Sequence, residues 1–109
     1  MFGLFKAKVF LGQDELTSVR KLRASGDLEQ AEKILLSADP SPAVADELRK
    51  IASMRARTAK KQGDWKAVIK YLEGYNTYAQ KVKSYCLKTV NQEPPAHTAS
   101  DTKLLLEAK

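Results

Sequence analysis

Apolar residues recur every three or four positions along most of this chain, the spacing that places them on one face of an α-helix. In the first such stretch they are Leu16, Val19 and Leu22. No stretch sustains the alternation at every second position that is typical of a β-strand. The pattern therefore predicts an all-α fold of antiparallel helix hairpins, with about five helices, a long fourth helix and a short C-terminal one.

Glycine and proline residues divide this pattern into segments. Gly26 ends the first predicted helix, and Asp27 is placed to cap the second because its carboxylate accepts backbone N–H groups that have no helical partner. Gly63 and Asp64 repeat this pair, and two prolines interrupt the chain between the pairs. We interpret the chain as one domain with an apolar N-terminal segment at residues 1–12, a hairpin at 13–40, a second hairpin at 41–90, a linker at 91–99 and a helix at 100–108.

The fourth predicted helix is the longest. Its apolar residues alternate at spacings of three and four and form a single seam, as in a heptad pattern. They are Trp65, Val68, Leu72, Tyr75, Ala79, Val82 and Cys86. Gly74 is a poor helix former, but the seam keeps its register on both sides of it, so we expect one continuous helix to about residue 90.

The two Gly-Asp pairs lie 37 residues apart, each between two amphipathic helices, and a period of this size is typical of helical-hairpin arrays. Over about residues 14–75 the sequence resembles the tetratricopeptide repeat family, in which a Gly-Asp-aromatic turn joins two helices and a small residue follows. The matching residues are Gly63, Asp64, Trp65 and Val68, with a weaker match at Gly26, Asp27, Leu28 and Ala31. The chain departs from the family in having two repeats, where stacked repeats usually number three or more.

The resemblance implies a protein-interaction scaffold, often with a peptide in the concave groove formed by the first helices of the hairpins. It does not identify the peptide. It also places three small residues, Ala52, Ala56 and Ala59, where the first helix of the second hairpin should be thin.

Charge and cysteine content bear on the partners and the cellular compartment of the chain. The chain has 19 Lys and Arg against 13 Asp and Glu, a formal net charge of +6, which is compatible with anionic partners but does not require them. Cys86 is the one cysteine, so no intramolecular disulfide forms, and a reducing, cytoplasmic compartment is the simplest interpretation.

The N-terminal segment has two interpretations. Residues 1–11 contain all three phenylalanines, yet two lysines leave no uncharged run as long as a signal peptide or membrane span needs. We favour packing of Phe2, Phe5 and Val9 onto the helices. The alternative is a short interfacial anchor or a contact in a homo-oligomer.

Residues for catalysis or metal binding are scarce. His97 is the one histidine, too few for a zinc site that needs about four ligands. Cys86 lies on the apolar seam, where a thiol behaves as a small hydrophobe. Asp46 and Glu47 fall in the first turn of the third helix, where carboxylates ordinarily complement the helix dipole. We therefore expect neither enzymatic activity nor a metal or cofactor.

Two sets of residues are candidates for binding a partner. A tyrosine-rich, basic surface on the fourth helix suits a protein interface, and an acidic peptide would complement its lysines. Its members are Trp65, Tyr71, Tyr75, Tyr78, Tyr85, Lys66 and Lys70, with Lys81 and Lys88 nearby. The competing interpretation is that the rings pack under the third helix and the C-terminal helix, with their hydroxyls reaching water.

The second set is a group of cations on the third helix. It consists of Arg49, Lys50, Arg55, Arg57, Lys60 and Lys61. A solvated face explains these residues more simply than contact with nucleic acid, because the chain has no recognisable nucleic-acid-binding motif. The leading hypothesis is a non-enzymatic adaptor or regulatory module that binds a protein or peptide, and the alternative is a small basic nucleic-acid-binding protein.

Overall fold

The computed structural model describes the backbone of residues 13–109 and the side chains of residues 15–109. Over this range it contains five α-helices and no β-strand. They are α1 (Gln13–Ala24), α2 (Leu28–Ser37), α3 (Pro42–Lys61), α4 (Trp65–Val90) and α5 (Ala99–Ala108). The all-α prediction is confirmed, and so is the continuity of the fourth helix through Gly74. The predicted packing of Phe2, Phe5 and Val9 lies outside the described residues.

The two Gly-Asp turns have the same hydrogen bonds. Gly26 and Gly63 adopt positive φ angles of 90° and 74°, a conformation that glycine tolerates without strain. In both turns the aspartate N–H donates to the carbonyl five positions earlier, at 2.9 Å, as in a Schellman motif. Asp27 and Asp64 then cap the next helix by accepting the backbone N–H three positions later.

The core consists of two adjoining clusters. The first joins α1, α2 and α3 to the middle of α4 and includes Val19, Leu35 and Ile51. The second joins α3, α4 and α5 and includes Leu72 and Leu104. The small residues expected to keep α3 thin are all buried: Ala52, Ala56 and Ala59. They let α3 and α4 pack along their length as the most extensive helix pair.

One residue of the predicted seam is misplaced. Trp65 is 39% exposed, whereas Val68, Leu72, Tyr75, Val82 and Cys86 are buried. Trp65 is exposed because it is the first residue of α4. No helical turn precedes it, so its ring lies at the end of the helix and not between packed helices.

The chain after α4 turns back along that helix. Asn91 ends α4 in the left-handed conformation, with φ 57°. The Tyr75 hydroxyl donates to the Pro95 carbonyl at 2.5 Å, and His97 Nε2 lies 2.7 Å from the Leu72 carbonyl. These contacts direct α5 onto the second core cluster. Among the described helices, none combines the length and hydrophobicity that crossing a bilayer demands.

Candidate interaction groove

An open groove of about 500 Å³ lies between α2 and α4, and α3 forms its floor. It exists because α2 is short and does not pack along α4. The lining residues are Glu29, Glu32 and Leu36 from α2, Leu48, Ala52 and Arg55 from α3, and Lys70, Tyr71, Gly74, Tyr75 and Tyr78 from α4. This groove lies between the second helices of the two hairpins, whereas the family resemblance implies a site on the first helices.

Three tyrosines form the α4 wall of the groove. Tyr75 is 4% exposed, and burial raises its pKa. Tyr78 lies 6.3 Å from Tyr75 between ring centroids, and burial raises the pKa of Tyr78 to about 12. Tyr71 is half-buried with one side toward the groove. Tyr75 is a core residue, as the packing interpretation expects, whereas Tyr71 and Tyr78 are half-buried and line an open groove, so their contact with a partner stays a prediction.

The Tyr75 hydroxyl departs from the expectation that these hydroxyls reach water. It donates to the Pro95 carbonyl, so Tyr75 joins the groove wall on one side to the returning chain on the other. The ring also lies 5.0 Å from the His97 ring. Tyr75 therefore fixes the wall in place and is not free to contact a partner through its hydroxyl.

Charged residues flank the aromatic wall. The Arg55 guanidinium lies 5.5 Å from the Tyr71 ring centroid and 3.4 Å from a Glu32 carboxylate oxygen, so it bridges the groove from α4 to α2. The Lys70 ammonium lies 5.9 Å from the centroid of the same ring. Glu29 is exposed at the α2 edge. The groove consequently has an acidic edge along α2 and a basic edge along α4.

The structure separates the predicted partner-binding residues. Tyr71, Tyr75, Tyr78 and Lys70 line the groove together. Trp65, Lys66 and Tyr85 do not line it, and all three are exposed elsewhere on α4.

Four lysines form an exposed stripe on α4, beside the tyrosine wall. They are Lys66, Lys70, Lys81 and Lys88, spaced so that they share one helical face. Within the described residues, none of them lies within ion-pair distance of a carboxylate. Their charge is therefore available to a partner.

The cations of α3 are in a different position: they are half-buried or exposed, as expected for a solvated face, but most of them pair with carboxylates of the chain. Five of the six reach a carboxylate: Arg49 and Lys50 contact Asp46, Arg55 contacts Glu32, Arg57 contacts Asp101, and Lys60 contacts Glu107. Lys61 is the sixth. Two of these cations pair within α3, one pairs with α2 and two pair with α5, so the six do not form an unpaired stripe that would follow a phosphate backbone.

Glu47 is not a helix-dipole residue, contrary to the expectation for the start of α3. Its side chain is 1% exposed and lies 3.0 Å from Arg20 Nε and 3.4 Å from Arg23 Nε, both in α1. Lys50 Nζ adds a third cation at 3.6 Å. Glu47 therefore joins α1 to α3. Asp46 stays half-exposed: its burial favours a higher pKa, but Arg49 and Lys50 outweigh burial and hold the pKa below its ordinary value.

A second buried carboxylate, which the sequence pattern did not indicate, holds α5. Asp101 is 1% exposed, accepts a hydrogen bond from the Ser53 hydroxyl at 2.9 Å and pairs with Arg57 Nη2 at 2.6 Å. The one sequence signal for it is its place in the first turn of a helix capped by Thr98.

Leu36 also escaped prediction as a groove residue. It is 49% exposed, and its position lies off the buried stripe that contains Ala31 and Leu35. A single exposed apolar residue is common on protein surfaces, so no signal in the sequence set Leu36 apart.

Reactive groups are absent from the groove. Cys86 is fully buried on α4, and burial raises the pKa of its thiol, as expected for a small hydrophobe. His97 Nε2 faces a backbone carbonyl, and its ring packs on Tyr75. In residues 15–109, no cluster of His, Cys, Asp and Glu side chains is arranged to hold a metal ion.

No protein-family model, curated protein or solved structure matches this chain. The fold therefore defines the class of the protein as all-α, with packed helices joined by two equivalent Gly-Asp turns. The resemblance to tetratricopeptide repeats stays a prediction from the sequence.

Proposed function

We propose that this chain is a non-enzymatic protein-interaction module of the cytoplasm, an adaptor or regulatory scaffold that binds a protein or peptide partner in the groove between α2 and α4. The observation that carries this proposal is the tyrosine wall. Tyr71 and Tyr78 present large, semi-exposed rings to an open groove whose position is fixed by the buried Tyr75. Tyrosine in such a setting is enriched at protein interfaces because it contributes apolar area at low entropic cost.

The electrostatics of the groove support a protein partner over nucleic acid. The α3 cations proposed for nucleic acid are largely neutralised by carboxylates within the chain. Glu29 and Glu32 line the groove itself and would repel a phosphate backbone. The exposed lysines of α4 are the one feature that favours the nucleic-acid alternative, and the acidic α2 side of the groove beside them favours a protein partner instead.

The proposal is tested by affinity capture from a lysate of the source organism with three baits. They are the unaltered chain, the double variant Tyr71→Ala/Tyr78→Ala and the single variant Tyr85→Ala. Tyr85 is the matched control because it is a tyrosine of the same helix that lies outside the groove. Each capture is repeated after nuclease treatment, and circular dichroism checks the helical content of every bait.

We expect a protein that the unaltered chain and Tyr85→Ala capture with or without nuclease, and that the double variant loses while its helices stay intact. If the double variant captures the same protein as well as the unaltered chain does, the groove is not the binding surface. If capture disappears with nuclease, the nucleic-acid alternative replaces the proposal.

A further inference from the structure

The backbone of the groove restricts the conformation of its occupant. The walls α2 and α4 and the floor α3 are all α-helices, and the backbone groups inside a helix bond within that helix. An extended peptide would therefore find no strand edge to pair with, and the backbone groups that it buries would stay unpaired. A helical occupant has no such cost because its backbone groups bond to one another.

The apolar surface of the groove suits the side chains of such a helix. Leu36 contributes from α2, Leu48 and Ala52 from the floor, and Tyr71 and Tyr78 from α4. The volume of about 500 Å³ lies within the range of about 300–1,000 Å³ found for ligand-binding pockets. An amphipathic helix lying along the opening would insert its residues at spacings of three and four into this surface.

The charges along the two edges determine which amphipathic helix fits. On α4, Lys70 lines the groove, and Lys66 and Lys81 lie beyond its two ends on the same exposed helical face; all three lie outside ion-pair distance of any carboxylate in the described residues. On the α2 edge, Glu29 is exposed and Glu32 is already paired with Arg55. The uncompensated charge beside the groove is therefore mainly positive and lies along α4.

We propose that the groove binds an amphipathic α-helix of a partner protein, with its apolar face against Leu36, Tyr71 and Tyr78 and a row of acidic residues along α4. This inference rests on the proposed function of the groove and adds the secondary structure and charge of the partner segment. Opposite charges along one edge select the partner and speed its association more than they increase affinity.

The test uses three fluorescent synthetic peptides of about 18 residues, or about five helical turns. The first has leucines at helical spacing and glutamates along one edge of that apolar face. The second has the same sequence except that two central residues are replaced by proline, which prevents the helix. The third carries lysine at each glutamate position. Anisotropy titrations at low and physiological salt give the affinity of each peptide for the full chain.

We expect the first peptide to bind at least tenfold more tightly than either of the others. Leu36→Asp should abolish this binding, because it places a charge against the apolar face of the peptide at a position that is already 49% exposed and tolerates the change. The triple variant Lys66→Glu/Lys70→Glu/Lys81→Glu should reverse the preference toward the lysine peptide. Lys103→Glu, an exposed lysine on α5, is the control and should change affinity less than twofold.

Three results would overturn the inference: no binding of the first peptide, equal binding of the proline peptide, or binding that Leu36→Asp leaves unchanged. Failure here is distinguishable from failure of the proposed function. If the peptides fail while capture yields a protein lost with Tyr71→Ala/Tyr78→Ala, the groove binds protein but not an acidic helix. If capture yields no such protein, the proposed function is itself wrong.

Discussion

The cations of α3 and the lysines of α4 are alike in the sequence and different in the structure. On α3, five of six cations pair with carboxylates of α2, α3 or α5. On α4, the stripe that contains Lys66, Lys70 and Lys81 has no such pairs among the described residues. The difference shows that a cation can attract an acidic partner only where the fold leaves it without a carboxylate of its own. On α3 the charge is mostly paired within the chain, and on α4 it is available to a partner.

The largest effect on stability is expected at Glu47, the buried carboxylate of α3 that pairs with cations of α1 and α3. Glu47→Gln removes the buried carboxylate that Arg20 and Arg23 reach from α1. We expect the free energy of unfolding to fall by about 3 kcal/mol, at the low end for a broken buried ion pair because Arg20 can turn to water. Urea unfolding followed by circular dichroism measures the change. A loss smaller than that of the neighbouring control Asp46→Asn would contradict the role of Glu47.

The next largest effect is expected at Asp101, which pairs with Arg57 of α3. Asp101→Asn keeps a partner for the Ser53 hydroxyl but loses the charged contact at 2.6 Å, so we expect a loss of about 2 kcal/mol. The end of the chain should also become more sensitive to limited proteolysis as α5 detaches. Glu107→Gln is the control, since its pair with Lys60 at 3.8 Å is exposed. Equal behaviour of the two variants would show that Asp101 does not hold α5.

Arg55 is the one α3 cation that lines the groove. Arg55→Gln removes both its ion pair with Glu32 and its contact with the Tyr71 ring, each partly exposed, so we expect a loss of about 1 kcal/mol. Thermal unfolding measures it against Lys61→Gln, an exposed residue of the same helix that pairs with no carboxylate in the described residues. If the two variants are equally stable, Arg55 does not order the groove.

Substitution of Asp46 should have the smallest effect on the free energy of unfolding, and this effect should depend on pH. Because the pKa of Asp46 is lower in the folded chain than the ordinary 3.8, its charged form stabilises the fold above pH 3.8, and this contribution is lost as the pH falls through the folded-state pKa. We expect Asp46→Asn to be less stable than the unaltered chain by under about 1 kcal/mol at about pH 6, with the difference closing below pH 3.8. A difference that widens toward acid pH would contradict the lowered pKa.

Local signals explain why the helices were predictable. Gly26 and Gly63 ended helices where a positive φ was needed, and Asp27 and Asp64 capped the helices that followed. These features depend on residues within a few positions of one another, so a single sequence contains them.

The pairing of charges depends on residues far apart in the chain. Glu47 meets Arg20 across 27 positions, and Asp101 meets Arg57 across 44. No local pattern distinguishes a carboxylate that will be buried by such a partner from the exposed Asp46 beside it. The groove escaped prediction for the same reason, because it depends on the gap between α2 and α4 and not on either helix alone.

Hydroxyl-radical footprinting of the complex with the captured partner tests the central claim most directly, since oxidation reports the exposure of individual side chains. Tyr71 and Tyr78 report on the groove, Tyr85 on the rest of α4, and Met54, 37% exposed on the side of α3 away from the groove, on the opposite face. We predict that binding lowers the oxidation of Tyr71 and Tyr78 and leaves Tyr85 and Met54 unchanged. Protection of Met54 with no change at Tyr71 and Tyr78 would contradict the account and move the binding surface to the other side of α3.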